Sequence, residues 1–300
     1  MFLIATVVWG FAFVAQNAAS TIPAFTVGAV RCLLAAAFLL ALIPVTDRLL
    51  GDGDSKHKRK ILEFNKNELI GGVILGALIV AASGFQQIGI EAVDAGKAAF
   101  ITALYVVFVP VISIFLGKKP HINTIISVPV AVIGFYFLCL GPNVSLQLSD
   151  MLILICALIF AVHIIIVDRF SPKCDGMRLS FIQFVVAFLL NAIIAVIFER
   201  PISITAIGHE ILPLLYLGLL SSGGGYTLQI LAQKDADPTV SSIFLSLESV
   251  FGVVGAAIVL GEQMSSREYI GCAIVFAAIL ISQFDITKLV KGLKINNKDK

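Results

Sequence analysis

Charge is scarce in this sequence. Asp, Glu, Lys and Arg make up 13% of its 300 residues, about half the ~25% typical of soluble domains, too few to cover a water-facing surface. The net charge of +2 implies no nucleic-acid partner. Cysteine motifs are missing as well. Cys32, Cys139, Cys156, Cys174 and Cys272 form neither a CxxC pair nor a metal-ligand spacing. Cys174 is in a short loop and the others lie in apolar runs as small hydrophobes, so neither a disulfide framework nor a zinc site is expected. No HExxH, Ser/His/Asp or paired-acid arrangement is present, which argues against an enzyme, and no cofactor is implied. Without a GxxxxGK[ST] loop, ATP does not drive any process within this chain. The first apolar run, Phe2 to Val14, lacks the basic segment a signal peptide needs, although Ala15 to Ala19 resembles a cleavage region. A native start upstream of Met1 is compatible with this beginning.

Long apolar runs fill the space that charge leaves. Apolar residues reach 59% and the mean hydropathy is +1.01, which predicts an all-α polytopic membrane protein. Ten spans are expected, at about 2–18, 24–45, 68–90, 97–116, 121–140, 150–168, 179–198, 210–231, 239–260 and 266–284. At ~1.5 Å per residue each is near the ~30 Å of a hydrocarbon core. The segment from Thr46 to Asn67 holds the one charge-dense loop, and a polar Lys/Asn tail begins at Lys288. With the N-terminus inside, 17 Lys and Arg fall on inner connections and three (Lys97, Arg200, Arg267) on outer ones. That bias places both termini in the cytoplasm and supports an even span count.

The chain repeats itself. Ala95 to Lys119 echoes Thr239 to Glu262 at an offset of 144, which sets Leu104 opposite Glu248. Trp9-Gly10 falls opposite Phe160-Ala161, and Leu75-Gly76 opposite Leu217-Gly218. Five spans per unit is an odd number, so the second unit enters the membrane from the opposite side. The expected architecture is two inverted five-helix repeats, 1–141 and 149–285, followed by a basic cytoplasmic tail, 286–300. Inverted repeats point to alternating access around a midplane site; duplication kept only for packing is the other reading.

Few polar side chains lie inside the spans. Glu248 sits near the middle of span nine, where an acid costs several kcal/mol unless it faces a partner or a wet cavity. It is the first candidate for coupling or substrate contact, against a structural ion pair or a neutral hydrogen-bonded acid. Arg31 in span two can neutralise Glu248, bind an anionic substrate, or snorkel outward. His163 in span six can titrate in a proton-coupled cycle or simply join two helices. Gln16, Asn17, Gln86, Gln87, Tyr105, Gln183, Tyr226 and Gln229 complete the polar candidates, with Asn191 beside them. Trp9, Gly10, Gly223, Gly224, Gly225 and Pro110 are candidates for helix flexibility. The three glycines either permit close packing or let the helix open, and Pro110, Pro129 and Pro213 are expected kink points. Glu262 and Asp168, at span ends, read as solvated carboxylates.

These residues resemble the drug/metabolite transporter superfamily, specifically its EamA-type members, over about residues 3–284 in two halves. The resemblance is carried by Val8-Trp9-Gly10-Phe11-Ala12-Phe13, Arg31, the connection Gly89 to Ala98, and Ser246 to Phe251 running to Leu260-Gly261-Glu262. The family often has proline after the glutamate equivalent to Glu248; here Ser249 stands there, so no kink is expected at that point. The resemblance implies ten helices, cytoplasmic ends, and a central cavity passing small metabolites, amino acids or drugs. Direction, by the same analogy, is export. Expected partners are a small solute, membrane lipid and, for coupling, protons, with spans one to four and six to nine around the cavity. The alternatives are an uncoupled facilitator or channel, and a flippase of a lipid-linked substrate; substrate and oligomeric state are not legible.

Overall fold

The protein is described by a computed structural model covering residues 1–49, 62–117, 122–139 and 147–283. The basic cluster at 56–60, Lys118, Lys119 and the expected tail 286–300 lie outside the described residues. Helix and turn account for all assigned structure there, with no strand among them.

Local chemistry sets the helix ends. Helix α1 is Phe2–Ala18 and α2 is Ala24–Leu49. Helix α3, Lys66–Ile90, opens with a capping box in which Asn65 and Glu68 satisfy each other's backbone N–H, removing two orphan donors at once. Helices α4 (Ala95–Thr102) and α5 (Tyr105–Phe115) follow, then α6 (Ile122–Cys139) and α7 (Leu148–Phe170). Asp175 caps α8, Gly176–Phe198. A short helix, α9 (Ile204–His209), precedes α10 (Ile211–Leu215). From there a π-helical segment, Tyr216–Tyr226, runs into α11, Thr227–Gln233. Helix α12 (Pro238–Ser246) starts with Asp237 as cap and proline in its first turn, where the missing N–H is not needed. Helix α13 (Glu248–Gly255), a π-helical turn Ala256–Leu260 and α14 (Ser266–Gln283) complete the chain.

Eight stretches are long and apolar enough to cross a membrane among the described residues, including Ala95–Phe115, Ile211–Gln233 and Pro238–Leu260. They coincide with eight of the expected spans. Helices α6 and α14 occupy the other two positions and pack chiefly against each other. The outer surface is apolar, as at Leu3, Val73, Ile133, Ile193 and Ile258. Polar residues such as Gln16, Gln86, His163 and Gln183 are inside, the arrangement expected where lipid is the solvent.

The fourth and ninth spans are interrupted at matching places. Helix α4 ends at Thr102 and α12 at Ser246, 144 positions apart, and the breaks at Ala103-Leu104 and Leu247 are bridged by three-residue turns. The interruption lies at Leu247, two residues before Ser249, which is itself inside α13. Here Ser249 Oγ donates to Ser246 O at 2.8 Å, so a hydroxyl occupies a carbonyl that the interruption releases. In the fourth span the break precedes Pro110, and α5 continues through that proline. The same offset links Gly117 and Gly261, which have φ of +87° and +69°. Both end their stretches in the left-handed region, where glycine avoids a Cβ clash.

Halves interleave rather than sit side by side. Helix α2 packs along α8, α3 against α7 and α8, and α1 against α13 and the π segment. The α2/α8 pair is fastened at both ends. Phe25 N and Thr26 N donate to Glu199 at 2.9 and 2.7 Å, while Arg178 pairs with Asp47 at 2.7 Å. These partners are related too, since Thr26 and Asp47 each stand 152 positions before Arg178 and Glu199. Glu262 accepts from Ala95 N and Gly96 N at 2.9 and 3.1 Å. It is a cap on α4, not the solvated carboxylate its position suggests.

Candidate functional site

Both interruptions face one cavity, with about 470 Å³ of atom-free space including its opening. Its walls come from α1 (Trp9, Ala12, Phe13, Gln16), α2 (Arg31), α3 (Gln86), the α4/α5 break (Thr102, Tyr105) and α7 (Phe160, His163, Ile164). Across from these are Ser221 and Tyr226 of the π segment, Gln229 of α11, and Leu245 and Glu248 of the α12/α13 break. Trp9 and Phe160, equivalent in the repeat, both line it. Span seven contributes no lining residue, contrary to expectation: Gln183 of α8 is fully buried behind His163.

Glu248 is 4% exposed, with Tyr105 as its polar side-chain neighbour. The interruption at Leu247 puts it in the first turn of α13, where the helix dipole favours a negative charge. The Tyr105 hydroxyl is buried beside it, within electrostatic reach of the carboxyl.

Arg31 is 5% exposed, which rules out snorkelling. Its Nε donates to Ser222 Oγ at 2.9 Å, and it forms no ion pair among the described residues. Of the readings open for Arg31, neutralisation of Glu248 is therefore absent, and the cavity wall carries two ionisable side chains that do not pair with each other. Ser222 was not a candidate by sequence, because a serine in an apolar run carries no signal until its partner is known.

His163 Nε2 lies 3.3 Å from Gln183 Oε1. Its ring meets the faces or edges of Phe160 and Tyr226 at interplanar angles of 90° and 83°. With Gln183 as acceptor the proton sits on Nε2, so His163 links α7 to α8 and also reaches the cavity. Gln16 Nε2 donates to Gln86 Oε1 at 2.9 Å, and Gln86 Nε2 to Thr102 Oγ1 at 3.2 Å. Thr102 is a second residue that the sequence did not mark. Gln87 points elsewhere: it donates to Gln16 O at 3.0 Å and lies outside the main cavity. Asn17 does not line the cavity. Gln229 donates to Gln233 at 2.7 Å, leaving Gln229 Oε1 buried and unpartnered.

The helix-flexibility candidates divide. Trp9 Nε1 donates to Ser221 O at 3.0 Å, taking up a carbonyl of the π segment, and its ring lies 4.7 Å from that of Tyr226. A Cβ on Gly225 would stand 2.4 Å from Trp9 Nε1, and one on Gly223 would stand 2.7 Å from Phe38. Only Gly224 has room. Close packing and altered winding thus occur together. Gly10 lets α1 touch α13, since a Cβ there would meet Phe251 Cβ at 2.4 Å. Pro110 is buried in α5, outside the cavity wall. No group of three His, Cys, Asp or Glu among the described residues has metal-site geometry.

Known proteins bear on this arrangement. Residues 1–140 and 147–284 each match the EamA-like transporter family. A protein of Archaeoglobus fulgidus named an uncharacterized transporter is 31% identical over 198 residues, 66% of this chain and 63% of that relative's length. Another uncharacterized transporter, from Clostridium kluyveri, is 25% identical over 246 residues, 79% of each chain. A crystal structure aligns with a TM-score of 0.67 over 93% of this chain and 94% of its own, at 18% identity, and so shares the fold. With both halves matched, the chain belongs to the EamA-like transporter family.

Proposed function

We propose that this multi-pass membrane protein is a secondary transporter of ten helices, in two inverted five-helix repeats, that moves a small organic solute by alternating access. The observation that carries this is the cavity between the halves, where two helix interruptions at repeat-equivalent positions present an unpaired buried acid. Discontinuous helices around a midplane site are what a transporter of this kind needs. The reciprocal fastening of α2 to α8, Thr26 with Glu199 and Arg178 with Asp47, supports the inverted relation. The two repeats are taken as 1–141 and 149–285. Glu248 is the coupling group, exchanging a proton or a cationic group of the solute, and His163 the second titratable wall. Export, and cytoplasmic termini at the cell membrane, follow from the family resemblance and the Lys/Arg bias.

Solute-free accessibility tests this. Ala12, on the cavity wall, is replaced by cysteine in a cysteine-free background. Membrane-impermeant thiol reagent is then applied to right-side-out and inside-out vesicles. Labelling from both faces is expected. Labelling from one face only, under every condition, overturns alternating access.

A further inference from the structure

Helix α4 is eight residues long, set apart from α5 by the break at Ala103-Leu104. Its first turn has no cap of its own, since the Asp94 side chain makes no bond to it. Glu262 of the second half supplies the cap, accepting from Ala95 N and Gly96 N at 2.9 and 3.1 Å. One residue further, Lys97 Nζ lies 2.9 and 3.1 Å from the two carboxylate oxygens of Asp150, in the first turn of α7. The Asp150 side chain is fully buried and that of Lys97 is 13% exposed, so water and salt screen this pair less than a surface one. Packing at this end is close as well. A Cβ on Gly252 of α13 would stand 2.5 Å from Ala99 Cβ, and one on Gly96 would stand 3.4 Å from Val253. The bonded residues share one membrane face, because the stretches Ala95–Phe115 and Leu148–Lys173 begin there and Pro238–Leu260 ends there. At the far end of α4, ~10 Å below, Thr102 lines the cavity.

We propose that Glu262, Lys97 and Asp150 form a latch that holds α4 over the outer mouth of the cavity, with the Ala103-Leu104 break as the hinge on which α4 swings. This rests on the transporter reading and the topology above, and assigns the outer closure to named residues. Both bonds of the latch run from donors in the first half to acceptors in the second. The α2/α8 fastenings also cross the halves, but they grip that pair at both ends and so fix an axis. The bonds on α4 sit at one end only, with a break at the other, which is the layout of a flap. The inner end of the molecule is built with different chemistry. Lys118 stands 144 positions before Glu262, and an ammonium has no lone pair to accept a backbone N–H. Helix α12, the counterpart of α4, is capped within its own half, where Asp237 accepts from Thr239 N at 2.8 Å. Loss of the latch therefore favours opening to the outside alone.

The Ala12→Cys reporter, in the cysteine-free full chain, tests this through the rate of labelling by impermeant thiol reagent from each face of the membrane. Lys97→Gln, Asp150→Asn and Glu262→Gln should each raise the rate from the outer face by about tenfold, the scale of one lost hydrogen bond to a charged group. None should raise it from the inner face. Lys97→Arg, which keeps the ion pair, should keep the native rate. Lys97→Asp combined with Asp150→Lys should return the outer rate toward the native one, a rescue that general loosening would not permit. Arg178→Gln removes an ion pair on α2/α8 and should leave the outer rate unchanged. Unchanged outer rates in the three single variants overturn the latch, as does an equal rise with Arg178→Gln or a rise on both faces. If one variant fails to reach the membrane, the other two carry the same test, because the cap and the ion pair are separate bonds. Two-sided labelling of the reporter with no effect of the variants removes the latch alone. Labelling from one face only, in reporter and variants alike, removes the transporter reading itself.

Discussion

Replacing Gly10 with alanine should loosen the contact on which the cavity wall depends. A Cβ at Gly10 would lie 2.4 Å from Phe251 Cβ and 2.8 Å from Gly252 N. Carbon atoms in contact sit ~3.5–4.0 Å apart, so α1 and α13 must separate by roughly 1 Å. Overpacking of that kind costs about 1–3 kcal/mol. Against it, alanine is favoured over glycine within a helix by up to ~1 kcal/mol. Gly208→Ala provides the reference, because its Cβ meets nothing within 4 Å and only the helix gain remains. The difference between the two variants, about 1–3 kcal/mol, isolates the steric contribution. The sequence has one tryptophan, Trp9, next to Gly10 and bonded to Ser221 O, so its emission reports this contact during unfolding titrations in mixed micelles. Gly10→Ala should unfold first, with its native emission already shifted. If it unfolds no earlier than Gly208→Ala, the close α1–α13 approach is not part of the stable structure.

Other substitutions probe the fastenings and the break. Glu262→Gln weakens two charge-assisted hydrogen bonds to the start of α4 and should cost about 1–3 kcal/mol; an unchanged unfolding midpoint counts against that cap. Asp47→Asn and Arg178→Gln, combined in a double-mutant cycle, should show a coupling of about 0.5–3 kcal/mol between residues that share an ion pair; additive effects would deny the pair. Ser249→Pro should be tolerated, because position 249 is in the first turn of α13, whereas Val253→Pro in the same helix should cost ~3 kcal/mol or more. Equal damage at both positions would mean the helix is continuous. Glu91, beyond the end of α3, is held above the ordinary glutamate range by partial burial and by the negative charge of Glu199. A raised folded-state pKa contributes stability at low pH that is lost as pH rises through it. Glu91→Gln should therefore flatten the decline in melting temperature between mildly acid and neutral pH, and an unchanged slope would refute the shift.

Much of this was legible in residue order, and the limits have physical causes. Apolar runs are long-range averages, so eight spans fell where hydropathy put them. Glu248 stood out because an acid inside such a run has few explanations. The break beside it did not, since no proline marks it: the α12/α13 interruption is held by tertiary contacts and by Ser249 Oγ, which sequence patterns do not encode. Glu262 was misjudged for a similar reason, as its partners Ala95 and Gly96 are more than 160 positions away. Gln183 was a reasonable cavity candidate by polarity, yet its role is to hold His163, and only the packing of α7 on α8 could show that.

The double fastening of α2 to α8 limits how the two halves can move. One helix comes from each half, and the pair is bolted near one end by Glu199 on Phe25 and Thr26, near the other by Arg178 on Asp47. Between the bolts Gly28 comes so close to α8 that a Cβ there would stand 2.5 Å from Asn191 Oδ1. A pair gripped in this way can neither splay at one end nor slide. Such a pair is expected to act as an axle shared by both halves, with rotation about its own length as the motion that breaks fewest of these contacts. On the alternating access proposed above, opening of the cavity to one side or the other is expected to be a swing about α2/α8. Spin labels on these two helices should hold their separation while labels across the cavity change theirs.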